Sequence, residues 1–274
     1  MKLKYVCPFW GQEGITAKNF IHKVTNAGYN AVEVNIPVEN NFETELKSVL
    51  NNSKLDLIGQ QWLQPLKESV TEYSKRLEER LYKLAEFNPI FINSHTGRDF
   101  FKFEENCSVL ETVFKFEEKT GINVYHETHR GRFNYSAQTT ENFIDKFPNL
   151  KLTADFSHWT VVSESLLEDQ MQSLKKAINN TQYLHARVAD TQRSQVNYPF
   201  SKENHIFLKT FTNWWQQVIT NAQTLSKDTF YICPEFGPYP YMPYQPNTTK
   251  HLVNQWDLNV KMMQYLKQQN LVVK

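Results

Sequence analysis

Cysteine is scarce. Cys7, Cys107 and Cys233 are the only three in 274 residues, and no Cys-x-x-Cys occurs. An odd, widely spaced set excludes a disulfide framework and fits a reducing, cytoplasmic setting. Each cysteine reads as a small buried apolar residue. There is no surplus of charge of one sign either: 30 Lys and Arg stand against 29 Asp and Glu, a net +1. Nothing in that balance calls for nucleic acid or an anionic membrane as partner. No apolar run approaches the roughly 18 residues of a membrane span. Met1-Lys2-Leu3-Lys4-Tyr5 passes directly into a strand pattern, without the apolar core of a leader. Linkers, repeats and low-complexity tracts are missing as well, so the 274 residues are expected to form one domain.

What is there is an alternation. Eight times a short apolar or β-branched run precedes a stretch of helical pattern. The runs are Tyr5 to Phe9, Ala31 to Ile36, Leu55 to Gln60, Ile90 to Ser94, Asn123 to Glu127, Lys151 to Asp155, Tyr183 to Val188 and Phe230 to Glu235. The helices expected between and after them are Thr16 to Ala27, Phe42 to Asn51, Val70 to Glu86, Glu104 to Thr120, Ala137 to Lys146, Glu164 to Ile178, Phe207 to Ala222 and Asn254 to Gln268. Gly28 and Gly121 stand where a left-handed residue closes a helix, and Pro148 blocks continuation of the fifth. Strand and helix in alternation mean parallel pairing through right-handed crossovers. Eight units in this length predict a closed (β/α)8 TIM barrel. An open doubly wound sheet is the alternative; against it, no Gly-x-Gly-x-x-Gly follows the first strand.

Polar residues recur at the ends of these runs. Tyr125, Glu127 and His129 share one face of an extended strand, as do Thr153 and Asp155, Tyr183, His185 and Arg187, and Tyr231, Cys233 and Glu235. In a barrel these ends form the catalytic mouth. Singly, each has a plainer reading: a hydrogen-bonded core histidine, a helix-capping aspartate, a solvated glutamate after Pro234. Together, Glu127, Asp155, His185 and Glu235 make a set that one divalent cation would neutralise, of the oxygen- and imidazole-binding kind: Mn2+, Mg2+, Co2+ or Zn2+. Trp10 and Trp62 follow the first and third runs and read either as walls of a sugar pocket or as core. Two long loops, Ala189 to Asn204 and the proline- and tyrosine-rich Gly237 to Pro246, read as cover for the mouth or as contacts with a neighbouring subunit. Trp214-Trp215 lies inside a helix pattern and reads as packing or a homo-oligomer contact.

At these residues the chain resembles the xylose isomerase-like barrel superfamily, in its sugar isomerase/epimerase branch. The resemblance runs from Gly28-Tyr29-Asn30-Ala31-Val32-Glu33 to Pro234-Glu235 and rests on the ordered Glu, Asp-x-x-His, His-x-Arg, Glu series. It implies a small carbohydrate substrate. It implies that Glu127, Asp155, His185 and Glu235 hold the metal and that Glu127 and Glu235 are the acid/base pair. It gives His158 and Arg187 to substrate oxygens, with His95, in Asn93-Ser94-His95-Thr96-Gly97, as a further substrate-side group. His158 has a second reading as a fifth ligand, and Arg187 as a salt-bridge partner of Asp190. The chain departs from the ketose-epimerase pattern, since Thr128 rather than Pro follows Glu127 and Phe133 stands six positions on. Instead it carries His126-Glu127-Thr128-His129-Arg130-Gly131-Arg132, whose extra His129 and Arg130 and Arg132 suit a carboxylate or phosphate. The implied chemistry is epimerisation or isomerisation through an enediolate, or dehydration if a β-hydroxyl leaves. An endonuclease IV-type phosphodiesterase is the further alternative; no Asp-x-His follows His185 in Ala186-Arg187-Val188-Ala189-Asp190.

Overall fold

The computed structural model describes residues 1–36, 41–269 and 271–272. Eight strands pair in sequence order, all parallel: β1 (Lys2–Pro8), β2 (Ala31–Val34), β3 (Asp56–Gln61), β4 (Ile92–Ser94), β5 (Val124–Glu127), β6 (Leu152–Ala154), β7 (Thr181–His185) and β8 (Thr229–Cys233). The register Lys2↔Thr229 to Tyr5↔Ile232 joins the last strand to the first and closes the barrel. The expected TIM-barrel architecture is what forms.

The helices are α1 (Ala17–Ala27), α2 (Phe42–Asn51), α3 (Val70–Ala85), α4 (Phe103–Thr120), α5 (Ala137–Lys146), α6 (Ser157–Ser163), α7 (Met171–Asn180), α8 (His205–Thr224) and α9 (Gln255–Gln268). Local chemistry sets their ends. The Thr16 and Ser136 side chains accept from the backbone two to three residues into α1 and α5, and Ser69 with Glu72 forms a reciprocal capping box on α3. Each helix turns an apolar stripe to the sheet, so Phe20, Leu77, Leu110, Val113, Phe211 and Trp215 are buried between strands and helices. Trp214 is also buried in this layer, so the tryptophan pair packs within the subunit.

One helix departs from the sequence expectation. The stretch from Glu164 to Ile178 is not continuous. A short α6 begins directly after β6, and Glu164 closes it with φ 49°. Leu167 turns with φ 60°, and only at Met171 does α7 begin. Leu167 is fully buried from that turn, which is why its apolar character imitated a helical stripe. No helix among the described residues is long and apolar enough to cross a membrane.

Inside the barrel, alternate strand residues form layers. Val6, Ala31, Ile58, Phe91, Tyr183 and Cys233 make a closed apolar layer, with Tyr125 and Tyr231 against it. Phe91 stacks on Tyr125 with centroids 4.5 Å apart and meets Tyr183 edge-on at 5.1 Å. Two residues further along the strands the inward side chains become polar, and there the candidate site begins. All three cysteines are buried and free.

Candidate active site

The polar layer follows from the strand period. Ala31 is in the apolar layer, so Glu33 faces inward; Phe91 gives Asn93, Tyr125 gives Glu127, Tyr183 gives His185 and Cys233 gives Glu235. Glu33, Glu127, Asp155 and Glu235 are each no more than 2% exposed, which withdraws four carboxylates from bulk solvent. One ligand atom from each of Glu127, Asp155, His185 and Glu235 lies within 4.8 Å of the others. The structure therefore brings together the four residues predicted to hold a cation. Without compensation, such a cluster costs several kcal/mol per unpaired charge, on the order expected for buried ions.

The histidine is oriented for ligation. His185 Nε2 lies 3.0 Å from a Glu33 oxygen, and the Asn93 amide lies 3.4 Å from the same nitrogen. A carboxylate only accepts, so Nε2 carries a proton, and Nδ1 is the nitrogen that a cation would take in place of its own proton. Nδ1 sits 3.0 Å from Glu235 Oε2 and 3.5 Å from Glu127 Oε2. The close Nδ1–Oε2 pair lacks hydrogen-bond alignment, and both atoms are buried without a partner. A carboxylate behind the imidazole and the second ring nitrogen turned toward acids in front is the arrangement that metal-bound histidines use. These residues fit a divalent cation. Burial by itself would strip the His185 ring of its extra proton, but Glu235, Glu33 and Glu127 outweigh that and hold it well above the usual imidazole range.

The two glutamates are pushed apart. Burial raises both. At Glu127 it is outweighed by His95 and His185, which hold the carboxyl well below the usual range. His95 Nε2 lies 2.8 Å and Asn93 Nδ2 2.7 Å from its Oε2. At Glu235 burial prevails over His185 and, with Glu127 nearby, leaves its proton affinity raised.

Asp155 lies just past β6. Its backbone N–H bonds Thr128 Oγ1 at 2.8 Å, and its Oδ1 accepts from Ser157 N at 3.1 Å. Arg187 ties the region together: it bonds Asp155 Oδ2, donates to Ser157 Oγ at 3.1 Å and to His158 Nε2 at 2.8 Å, and keeps Nη1 unpartnered. Asp190 pairs with Arg193 instead, so the Arg187–Asp190 salt bridge does not form. His158 reaches the mouth because α6 bends the chain straight after the strand. An arginine cannot accept, so His158 Nε2 must, and in a neutral ring the proton then sits on Nδ1. Burial holds that ring neutral, its pKa well below the usual range. With one nitrogen engaged and the other protonated, no lone pair remains for a cation. The fifth-ligand reading of His158 is set aside on that ground, although Glu127, His129 and His158 also lie close enough to form a second triad.

A cavity of about 390 Å³ opens over the cluster. Trp10, Trp62, His95, Glu127, His129, Arg187 and Glu235, all singled out in the sequence, line it. Trp10 stands against Gly237, where a Cβ would lie 2.1 Å from its ring, so no side chain but hydrogen is tolerated there. The two long loops are bonded together, Gly237 N to Gln195 Oε1 at 2.7 Å, and they deliver Tyr241 as cover. The Tyr241 ring lies 4.8 Å from the Arg187 guanidinium and 5.1 Å from that of Arg130. Arg130 is exposed at the rim and bonds Ser194, outside the lining. The His129 and His158 rings are in contact, their centroids 3.8 Å apart and their planes tilted by 47°.

Sequence reasoning missed Glu33, Asn93 and the lining pair Asn35 and Gln60, and it gave the tyrosine-rich loop to cover without singling out Tyr241. The signal for Glu33 was present: an acid two residues after a small apolar residue in an otherwise apolar strand.

No protein-family model matches the sequence, and no curated protein does. Solved structures do. The "probable 3-DHS dehydratase AsbF" of Bacillus anthracis is similar at 16% identity and TM-score 0.65, over 97% of this chain and all of that one. The 3-keto-D-glucoside 4-epimerase YcjR of E. coli gives 13% and 0.65 with the same coverage. A xylose isomerase-like TIM barrel protein of Mycobacterium smegmatis, in complex with magnesium, gives 10% and 0.62 over 97% of this chain and 95% of that one. The chain thus has the xylose isomerase-like TIM barrel fold, with a buried Glu/His/Asp cluster of metal-site composition at its mouth.

Proposed function

We propose that the chain is a divalent-metal-dependent enzyme that moves a proton at a carbon beside a carbonyl in a small carbohydrate derivative, as a sugar isomerase or epimerase. The observation that carries this reading is the His185 arrangement: Glu33 orients the ring through Nε2, and Nδ1 lies among Glu127, Asp155 and Glu235. These four would hold Mn2+, Mg2+, Co2+ or Zn2+, which when bound polarises a carbonyl oxygen and neutralises developing negative charge.

The residues then divide the work. Glu235, with raised proton affinity, is the better matched group for exchange with carbon, and Glu127, held ionised by Asn93 and His95, is its partner. One carboxylate takes the carbon-bound proton, and the electron pair moves to the carbonyl oxygen, giving an enediolate. A proton returned to the other face of the same carbon epimerises it; returned to the neighbouring carbon, it isomerises the sugar. If a β-hydroxyl leaves as water instead, the outcome is dehydration: the glutamate that took the carbon-bound proton gives it to the departing oxygen, and the unpartnered His158 Nδ1–H can hydrogen-bond that oxygen. Arg187 Nη1 and His158 Nδ1 offer donors to substrate oxygens, while Trp10 and Trp62 present ring faces to the carbon skeleton.

The test is a panel of ketoses, keto-acids and inososes incubated in deuterated water with Mn2+. Carbon-bound deuterium uptake that depends on Glu235 is expected. Absence of uptake with every compound, under conditions where the metal binds, contradicts the reading. Metal content separates the phosphodiesterase alternative, since one ion per chain is expected here and three there.

A further inference from the structure

Two arginines at the mouth take no part in the site described above. Arg98 follows β4 and Arg132 follows β5, and they are 7% and 4% exposed. Arg98 is positioned from both sides. Its guanidinium lies 5.5 Å from the centre of the Tyr73 ring, and its backbone exchanges hydrogen bonds with Asn106, N to Oδ1 at 3.2 Å and Nδ2 to O at 2.8 Å. Gly97, with φ 66°, permits that approach, since a Cβ there would lie 2.3 Å from Asn106 Oδ1. The turn bearing Arg132 is tied to the same place, with Arg132 N bonded to His129 O at 3.1 Å and Phe133 N to Thr96 O at 3.3 Å.

Both guanidinium groups keep buried nitrogens without a hydrogen-bond partner. Arg98 Nη2 and Arg132 Nε and Nη1 are buried with no hydrogen bond, and neither side chain forms an ion pair among the described residues. The two charges also oppose each other: burial lowers Arg132's hold on its proton and Arg98 adds to that, while Tyr73, Glu127 and Asp99 work the other way without pairing with it directly. A fold that holds two like charges out of water with open donors carries a heavy cost unless an anion completes it.

We infer that Arg98 and Arg132 form an oxyanion site beside the Glu127–His129 edge of the mouth, and that its occupant is a carboxylate or phosphate group. Guanidinium donors in pairs are the chemistry that grips such groups. The occupant has two possible sources. It is the acidic substituent of the substrate, a version that depends on the proton-transfer reading above, or it is a free oxyanion, a version that does not.

The experiment titrates inorganic phosphate, and in parallel acetate, into the metal-free full chain in EDTA, followed by calorimetry and thermal melting. Saturable binding with a rise in melting temperature is expected for wild type. Affinity should fall at least tenfold in R98Q/R132Q and by less in R132K, which keeps the charge and loses the fork. Without added anion, the double variant should melt no lower than wild type, because uncompensated charge has been removed. A purely structural role on Tyr73 predicts the reverse: a lower melting temperature with the anion response intact. Equal responses in wild type and R132K, or none to either anion in wild type, overturn the site. The source is then read from deuterium uptake. If phosphate competes with an acidic substrate and R132K raises its KM, the occupant is the substituent; if phosphate binds without affecting uptake, it is a free ion. Metal content and uptake are separate readouts, so failure of the catalytic reading is distinguishable from failure of this one.

Discussion

Two layers of the same barrel, one residue pair apart on each strand, behave as opposites. The lower holds Val6, Ala31, Ile58, Phe91, Tyr183 and Cys233, and its aromatic rings interlock. The upper holds Glu33, Asn93, Glu127, His185 and Glu235, with buried donors and acceptors that face one another. The lower layer therefore carries packing, and it frees the upper one to concentrate charge that would destabilise a barrel with no floor. Rigid strands with dense apolar support are what a site needs to keep carboxylates close against their repulsion.

The sharpest break between the layers is a pair of substitutions. Glu235→Gln should lower deuterium uptake by on the order of 10³-fold while leaving the thermal midpoint within a few degrees. Phe91→Ala should cost about 3–5 kcal/mol in urea unfolding, as large aromatic truncations do. If Glu235→Gln unfolds the chain instead, the division of labour is wrong. The second prediction concerns the support of the upper layer. Glu33→Gln removes the carboxylate behind His185, and Mn2+ affinity measured by calorimetry should drop by about 10–100-fold, the usual range for such a partner. An unchanged affinity would mean that Glu33 does not orient the ring.

The third contrast lies within β5, where Glu127 points inward and His126 outward. His126 is buried, its Nδ1 2.7 Å from Thr96 Oγ1, and burial first, then Lys151, pulls its pKa down to about 3. In the unfolded chain it titrates near ~6.5. Below that pH the unfolded state binds one more proton than the folded state. Stability from this group is therefore full above ~6.5 and is lost as pH falls toward 3, by about 1.4 kcal/mol per unit. Urea unfolding from pH 7.5 to 5 should show His126→Asn with the shallower slope; equal slopes would contradict the burial argument. The smallest effect expected is at the cover. Tyr241→Phe keeps the ring over Arg187 and should change KM by less than about threefold, whereas Tyr241→Ala should raise it more, because cation–π contact and cover are both lost.

Much of this was legible in the sequence, for physical reasons. The strands showed as short apolar runs because a parallel sheet is buried on both faces. The four predicted ligands showed because each charge closes a run in which every second side chain faces inward. What was hidden depended on three dimensions. Glu33 obeys the same spacing as Glu127, but its role exists only opposite His185, which is 152 residues away. The break at Glu164 carries no glycine to announce it, and the buried Leu167 completed a false helical stripe. His158, three residues past Asp155, turns toward the mouth because α6 begins there, with no proline or glycine to announce it. Tyr241 stands over the cavity in a loop that Gln195 fastens to its neighbour through Gly237, a pairing the sequence does not show.

The central claim is that Glu127, Asp155, His185 and Glu235 converge on one cation. Calorimetric titration of Mn2+ into the EDTA-stripped chain, set beside the His185→Ala variant, tests it most directly. One equivalent per wild-type chain, weakened at least 100-fold in the variant, is the predicted result. No uptake by wild type, or undiminished uptake by the variant, would contradict it.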